Sequence, residues 1–160
     1  MTKEKIIMTR KASDNKYLHK DFHITLNILL DYLDARFGKE AVIQYLSQFT
    51  KSYHQPLHEQ LKAGNLTALS DYLTQIYQKE DCPVQIRTGE GFIELQQDAC
   101  PGMSHIKASG NRVSARYVET YQTVYETLCE GTPYQYHLRH FDSETGACTQ
   151  LFTKKEEEGL

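Results

Sequence analysis

The chain reads as an α+β domain whose sheet is mainly antiparallel, and three observations predict it. Apolar residues recur every three or four positions from Phe22 to Ile76, the period of amphipathic helices. After Pro83 the period becomes two, and it is two again from Tyr134 almost to the end of the chain. Between these alternating stretches the helical period returns once, so the order is helices, hairpin, helix, hairpin, with the helices covering one side of the sheet.

Residues 1 to about 16 are polar and lack a sustained period, as a loose arm would. Phe22, Leu26, Leu29, Leu33 and Phe37 then form a helical stripe, and Gly38 follows where a C-terminal cap belongs. Val42, Tyr45, Leu46, Phe49 and Tyr53 give a second helix. Pro56 interrupts that run and can open a short third helix at its first turn, which "KAGN" closes. Leu66, Leu69, Leu73 and Ile76 mark a fourth, with Asn65 or Thr67 available to cap it and Pro83 beyond its end. Val84, Ile86 and Thr88 alternate with polar residues, "TGEG" supplies a turn, and Ile93, Leu95 and Gln97 alternate again. That hairpin delivers the chain to "DACPGMSHIKASG". Pro101 restricts Cys100 to extended geometry and Gly102 loosens the backbone after it, so Cys100–Gly110 is expected as a shaped loop. A helix from about 113 to 129 follows, on Val113, Tyr117, Tyr121, Val124 and Leu128, and "EGTP" ends it. Tyr134, Tyr136 and Leu138, the turn-rich "DSETGA", and Cys148, Gln150 and Phe152 make the second hairpin. Residues 154–160 read as a solvated tail, leaving about 17–153 as the ordered core of a single domain.

With 160 residues the chain suits one domain with a real core. Its formal charge of −3 is spread along the length without a basic stripe, which argues against nucleic acid as a partner. No apolar run approaches the roughly 20 residues that span a bilayer, and "IIM" is too short for a secretory signal core, so a cytoplasmic protein away from membranes is expected. Cys82, Cys100, Cys129 and Cys148 lie far apart without a CxxC pair and are expected as reduced thiols. A homodimer is the default expectation for a soluble oligomer. The sequence contains no GxGxxG, P-loop, HExxH or GxSxG motif.

Chemistry points to the segment after the first hairpin. A thiolate attacks carbonyl or imine-like carbon well, and a neighbouring imidazole can lower its pKa and shuttle its proton. Cys100 and His105 have those side chains, and a tight turn at Gly102 would let them face each other with Cys148 behind them. Cys100 is then the nucleophile and His105 the general base; the plain alternative is a packed cysteine beside a hydrogen-bonded histidine. With Cys148, and His137 or His140 nearby, the same residues could instead hold zinc, although no pair has the short spacing of zinc modules. The pairs His19/His23 and His54/His58 read as solvated helix faces. Eleven tyrosines and no tryptophan suggest a pocket of rings with polar tips for a small-molecule ligand, with Tyr117 and Tyr136 as lining. Arg112 and Arg116 are the candidate anchors for a ligand carboxylate.

The blocks "PLHEQLKAGNLTALSDYLTQIYQKE", "CPGMSHIK" and "ETGACTQLF" resemble a bacterial family of L-2-amino-thiazoline-4-carboxylic acid hydrolase-like proteins, in similar order over roughly residues 22 to 153. The resemblance implies hydrolysis of a carbon–nitrogen bond in a small, carboxylated, sulfur-containing ring, and it falls on Cys100, His105 and Cys148 without assigning their roles. The glycine-then-cysteine ending also looks like the last strands of ligand-sensing domains of vinyl-reductase type, which bind rather than catalyse. Such sensors more often place a cysteine where this chain has Tyr134 or Tyr136.

Overall fold

A computed structural model describes residues 20–156. The loose arm expected over residues 1–16 and the last four residues of the expected tail lie outside it. Six helices and four strands follow one another as α1 (Lys20–Phe37), α2 (Lys39–Tyr53), α3 (Gln55–Lys62), α4 (Leu66–Lys79), β1 (Val84–Gly89), β2 (Phe92–Gln97), α5 (Pro101–Ala108), α6 (Glu119–Cys129), β3 (Tyr134–Phe141) and β4 (Cys148–Lys154). The class is α+β. The two hairpins join through β2 and β4 into one antiparallel sheet of order β1-β2-β4-β3. Among the described residues no helix is long and apolar enough to cross a membrane.

Register explains which sheet face the helices cover. Ile93 pairs with Phe152, Leu95 with Gln150 and Gln97 with Cys148, while Tyr136 and Leu138 oppose Phe152 and Gln150 from the other side. Alternation puts all of these on one face, where α4 and α6 lie across them. Gln150, fully buried, is satisfied there: it accepts from the Tyr136 hydroxyl at 3.0 Å and donates to the Tyr77 hydroxyl at 3.4 Å. One apolar cluster, around Leu69, Leu73, Leu95 and Phe152, seals the sheet. A second, around Leu30, Leu46, Met103 and Ile106, joins α1, α2 and α5. Tyr125 and Leu138 pack against both.

Four expectations need correction. The segment expected as a loop is a helix, α5, with Cys100 as its N-cap at φ −89°, ψ 119° and Pro101 in its first turn. Proline at the first helical position and an extended residue before it are helix-start chemistry as much as loop chemistry. What decides for the helix is packing, because Met103 and Ile106, one turn apart, are both buried. The following helix starts late, at Glu119, because Asn27 of α1 pins the preceding segment: its amide donates to Arg112 O at 2.9 Å and its oxygen accepts from Ser114 N at 2.7 Å. The tail also begins later than expected. Lys154 ends β4, and Lys155 donates from its backbone to Pro133 O at 2.8 Å.

The stripe on α1 is rotated from the expected one. Leu26, Asn27 and Leu30 are buried, while Phe22 and Phe37 are exposed. This turns His23, one helical step before Leu26 and Asn27, toward the interior.

The turn between β3 and β4 is built by Asp142, whose Oδ1 accepts from Glu144 N and Thr145 N at 2.8 and 2.9 Å. It packs on the start of α5: Thr145 O accepts from Cys100 N at 2.9 Å. Gly146 in this turn has φ 72°, and a Cβ there would stand 2.3 Å from Cys100 Cβ and 3.2 Å from Cys100 N. Neither conformation nor space admits a side chain. Gly146→Ala is therefore expected to cost about 2 kcal/mol or more, read as a lower urea midpoint with an unchanged slope; a loss under about 0.5 kcal/mol would mean the turn is not seated against Cys100 as described.

Candidate functional site

A cavity of about 380 Å³ lies between α1, α2, α4 and α6, with Cys100 in its wall. Rings dominate its surface, among them Phe49, Tyr53, Tyr72, Tyr77, Tyr121 and Tyr125. They come from helical faces at three- and four-residue spacing, with Tyr45, Phe49 and Tyr53 on α2 and Tyr121 and Tyr125 on α6. Phe49 stacks on Tyr53 with centroids 5.3 Å apart, and His54 meets Tyr53 and Tyr72 edge-on at 4.9 and 5.5 Å. Among the described residues Glu80 is the one carboxylate in the lining, and no lysine or arginine lines it.

Cys100 is buried at the N-terminus of α5. Its sulfur accepts from Met103 N at 3.4 Å and lies 4.0 Å from the Tyr117 hydroxyl. Burial pushes the thiol pKa up, while hydrogen bonding with the Tyr121 hydroxyl, Met103 N–H, the Tyr117 hydroxyl and Gly102 N–H favours the thiolate and pulls it back, with a net upward shift. Gln97 Nε2 donates to the Tyr121 oxygen at 3.2 Å, which leaves the Tyr121 proton for the sulfur. The Tyr117 hydroxyl is also 3.3 Å from His23 Nδ1, and His23 Nε2 is 3.8 Å from Glu80 Oε1. Thiol, phenol, imidazole and carboxylate thus follow one another along one wall, and all four residues line the cavity.

Gly102 makes this contact chain fit. A Cβ at that position would lie 2.3 Å from the Tyr117 hydroxyl and 2.6 Å from His23 Nδ1.

The structure brings together only part of the set expected from sequence. Cys100 and Tyr117 line the cavity. His105 does not: five positions from the cap it is rotated by about 140° around the helix, no hydrogen bond joins it to Cys100, and its Nε2 is buried without a partner among the described residues. Arg112 pairs with Asp31 at 3.0 Å and Arg116 with Asp34 at 2.9 Å, so α1 carboxylates hold both guanidinium groups outside the cavity. Tyr136 belongs to the sheet face, its ring tilted against Phe152 and its hydroxyl on Gln150. Cys148 is also outside the lining; burial pushes its thiol up to about 12, Gln150 opposes this and Cys100 adds to it. Among the described residues no group of three or more His, Cys, Asp or Glu side chains is placed to hold a metal ion, so Cys100, His105 and Cys148 do not make a ligand set. Cys82 and Cys129 are raised by burial to about 11 and about 12.

Sequence reasoning missed His23, His54 and Glu80. The first two were assigned to solvated helix faces, yet the Leu26/Asn27/Leu30 stripe, read one position later, would have pointed His23 inward. No family model matches the chain, and no curated protein matches it closely enough to count as a relative.

Burial lowers the His54 pKa below its ordinary 6.5. An unfolded chain then binds the proton more readily than the folded one, so His54 stabilises the fold fully above about pH 6.5 and progressively less as pH falls below it. The thermal midpoint is expected to drop more between about pH 7 and about pH 5 in the wild type than in His54→Phe. Parallel curves would mean that His54 stays solvated.

Proposed function

We propose that the chain is a hydrolase-like protein that takes a small ring compound into the aromatic cavity and opens a carbon–nitrogen bond with Cys100 as nucleophile. One observation carries this reading: the reactive thiol sits in the wall of a cavity of ligand size, at a helix N-terminus whose N–H groups already point at the sulfur. Those donors stabilise a thiolate once it forms. Its sulfur would add to the carbon of a cyclic C(=O)–N group, or of a C=N group that carries a second heteroatom. The C–N bond would break as the nitrogen takes a proton and the oxygen or second heteroatom re-forms the double bond, and water would then give its hydroxyl to that carbon and a proton to the departing thiol.

The similarity of "CPGMSHIK" and "ETGACTQLF" to the amino-thiazoline carboxylate hydrolase-like family supports the same class of substrate. The role first given to His105 is not part of the proposal, nor is a carboxylate anchor at Arg112 or Arg116, since each guanidinium is already paired. A reducing compartment such as the cytoplasm suits a protein that depends on an unoxidised thiol.

A second reading, a non-catalytic small-ligand sensor, is favoured by the raised pKa of Cys100, which leaves the resting thiol protonated. One experiment separates the two. Wild type and Cys100→Ser are offered a panel of thiazoline, imidazoline and lactam rings with and without a carboxylate, and both thermal shift and ring opening by mass spectrometry are followed. Turnover in the wild type with at least a hundredfold loss in Cys100→Ser supports the hydrolase; equal thermal shifts in both proteins without turnover support the sensor. Arg116→Met is expected to change ligand affinity by less than about twofold, because its charge is committed to Asp34. A larger and selective loss for acidic ligands would restore the anchor.

A further inference from the structure

We propose that His23, oriented by Glu80, is the base that takes the Cys100 proton, and that it does so through the Tyr117 hydroxyl. The inference rests on the reading of Cys100 as the reacting thiol and adds the residues that activate it. Glu80 Oε1 lies 3.8 Å from His23 Nε2 and favours the tautomer protonated there, in which Nδ1 is the acceptor facing the Tyr117 hydroxyl. Tyr117 then donates its hydroxyl proton across 3.3 Å to Nδ1, and its oxygen accepts from the Cys100 thiol at 4.0 Å. In this arrangement the thiol, the hydroxyl and the imidazole nitrogen follow one another as donor and acceptor. The transfer balances: the S–H proton moves to the Tyr117 oxygen, the Tyr117 proton moves to His23 Nδ1, and the products are a thiolate, an unchanged phenol and an imidazolium facing Glu80.

A second observation supports the path independently. Gly102 leaves the gap into which the Tyr117 hydroxyl and His23 Nδ1 both project, and any Cβ there would meet both. The remaining ionisable groups around the sulfur do not compete as bases. Tyr77 from α4 and Tyr121 from α6 are raised well above 10 by burial, and Cys148 from β4 and Cys82 before β1 are raised as well, so all four keep their protons at neutral pH.

The test is the rate at which iodoacetamide alkylates Cys100, followed by peptide mass spectrometry from about pH 5.5 to about pH 9.5, a readout that needs no substrate. In the wild type the rate is expected to rise along a limb below the free-thiol value of about 8.5. His23→Gln removes that limb and slows alkylation at pH 7 by about tenfold or more, and Tyr117→Phe does the same with the histidine still in place. Glu80→Gln gives a smaller loss, and His105→Gln tracks the wild type. Thermal midpoints and far-UV circular dichroism establish that each variant is folded; if one of the two near-isosteric variants is not, the other carries the same expectation. Wild-type rates and pH profile in His23→Gln or Tyr117→Phe would overturn the relay, as would loss of the limb in His105→Gln alone. The function reading fails separately, by ring opening that survives in Cys100→Ser, and such a result leaves the alkylation profile to judge the relay.

Discussion

The seating of the first turn of α5 is the constraint on which the cavity depends. β2 runs directly into Cys100, the β3–β4 turn closes over it through Thr145 O and Gly146, and α1 crosses it at His23. Each contact is a backbone group or a side chain meeting a glycine, so there is little slack to absorb a shift. From that seat Met103 and Ile106 enter the cluster of α1, α2 and α5, and the thiol is held toward the rings of α6. The residues with chemistry are therefore in one of the most tightly packed parts of the chain. A pre-positioned nucleophile on a rigid element loses less entropy in reaching its target than one on a mobile loop.

The same packing makes a thiolate at Cys100 costly. Burial disfavours a bare thiolate, and the hydrogen bonds at the helix start reduce that penalty without cancelling it. A charge left alone in the cavity wall would stay neutralised by its proton. An imidazolium one hydroxyl away would change the balance: at an effective dielectric of about 20, opposite charges about 6–7 Å apart attract by roughly 2.5 kcal/mol, equivalent to about two pKa units. That gain grows when a ligand expels water. Glu80 matters for the same reason, since it lies beside the site where the second charge would form.

How much of this the sequence revealed follows from which interactions are local. Period two after Pro83 and again from Tyr134 marked both hairpins, because strand burial is written residue by residue. The turn signals "TGEG" and "DSETGA" fixed where each reverses. The adjacency of β2 and β4 was only an expectation of a shared sheet, since pairing across fifty residues leaves no local trace. The α5 segment was misread because Pro101 and Gly102 are local breakers, and the burial that overrules them, of Met103 and Ile106, comes from distant helices. Cys100 was recognised by its chemistry. His105 was chosen for nearness in sequence, whereas His23 reaches the site from seventy-seven positions away through the crossing of α1 over α5. The ion pairs of the arginines were hidden for a related reason: their partners, Asp31 and Asp34, lie on α1 at one-turn spacing, and nothing near Arg112 or Arg116 in the chain announces them.

The lining also constrains how a ligand can lie. Phe22 and Tyr53 line the cavity and are 41 % and 59 % exposed, so this side is its open end. Cys100, at 3 % exposure, marks the closed one. Between them the surface is mainly aromatic and aliphatic, which favours affinity from apolar burial and stacking over ion pairing. A ligand carboxylate pushed toward Cys100 would approach Glu80 and a developing thiolate with no lysine or arginine of the described residues beside it, which the low dielectric makes costly. Were the ligand the acidic ring compound proposed above, these constraints would have it enter ring first, with its carboxylate left in water near Phe22 and Tyr53 and its ring toward the sulfur. That orientation would spare the protein a buried anion that none of the described lining residues is placed to balance.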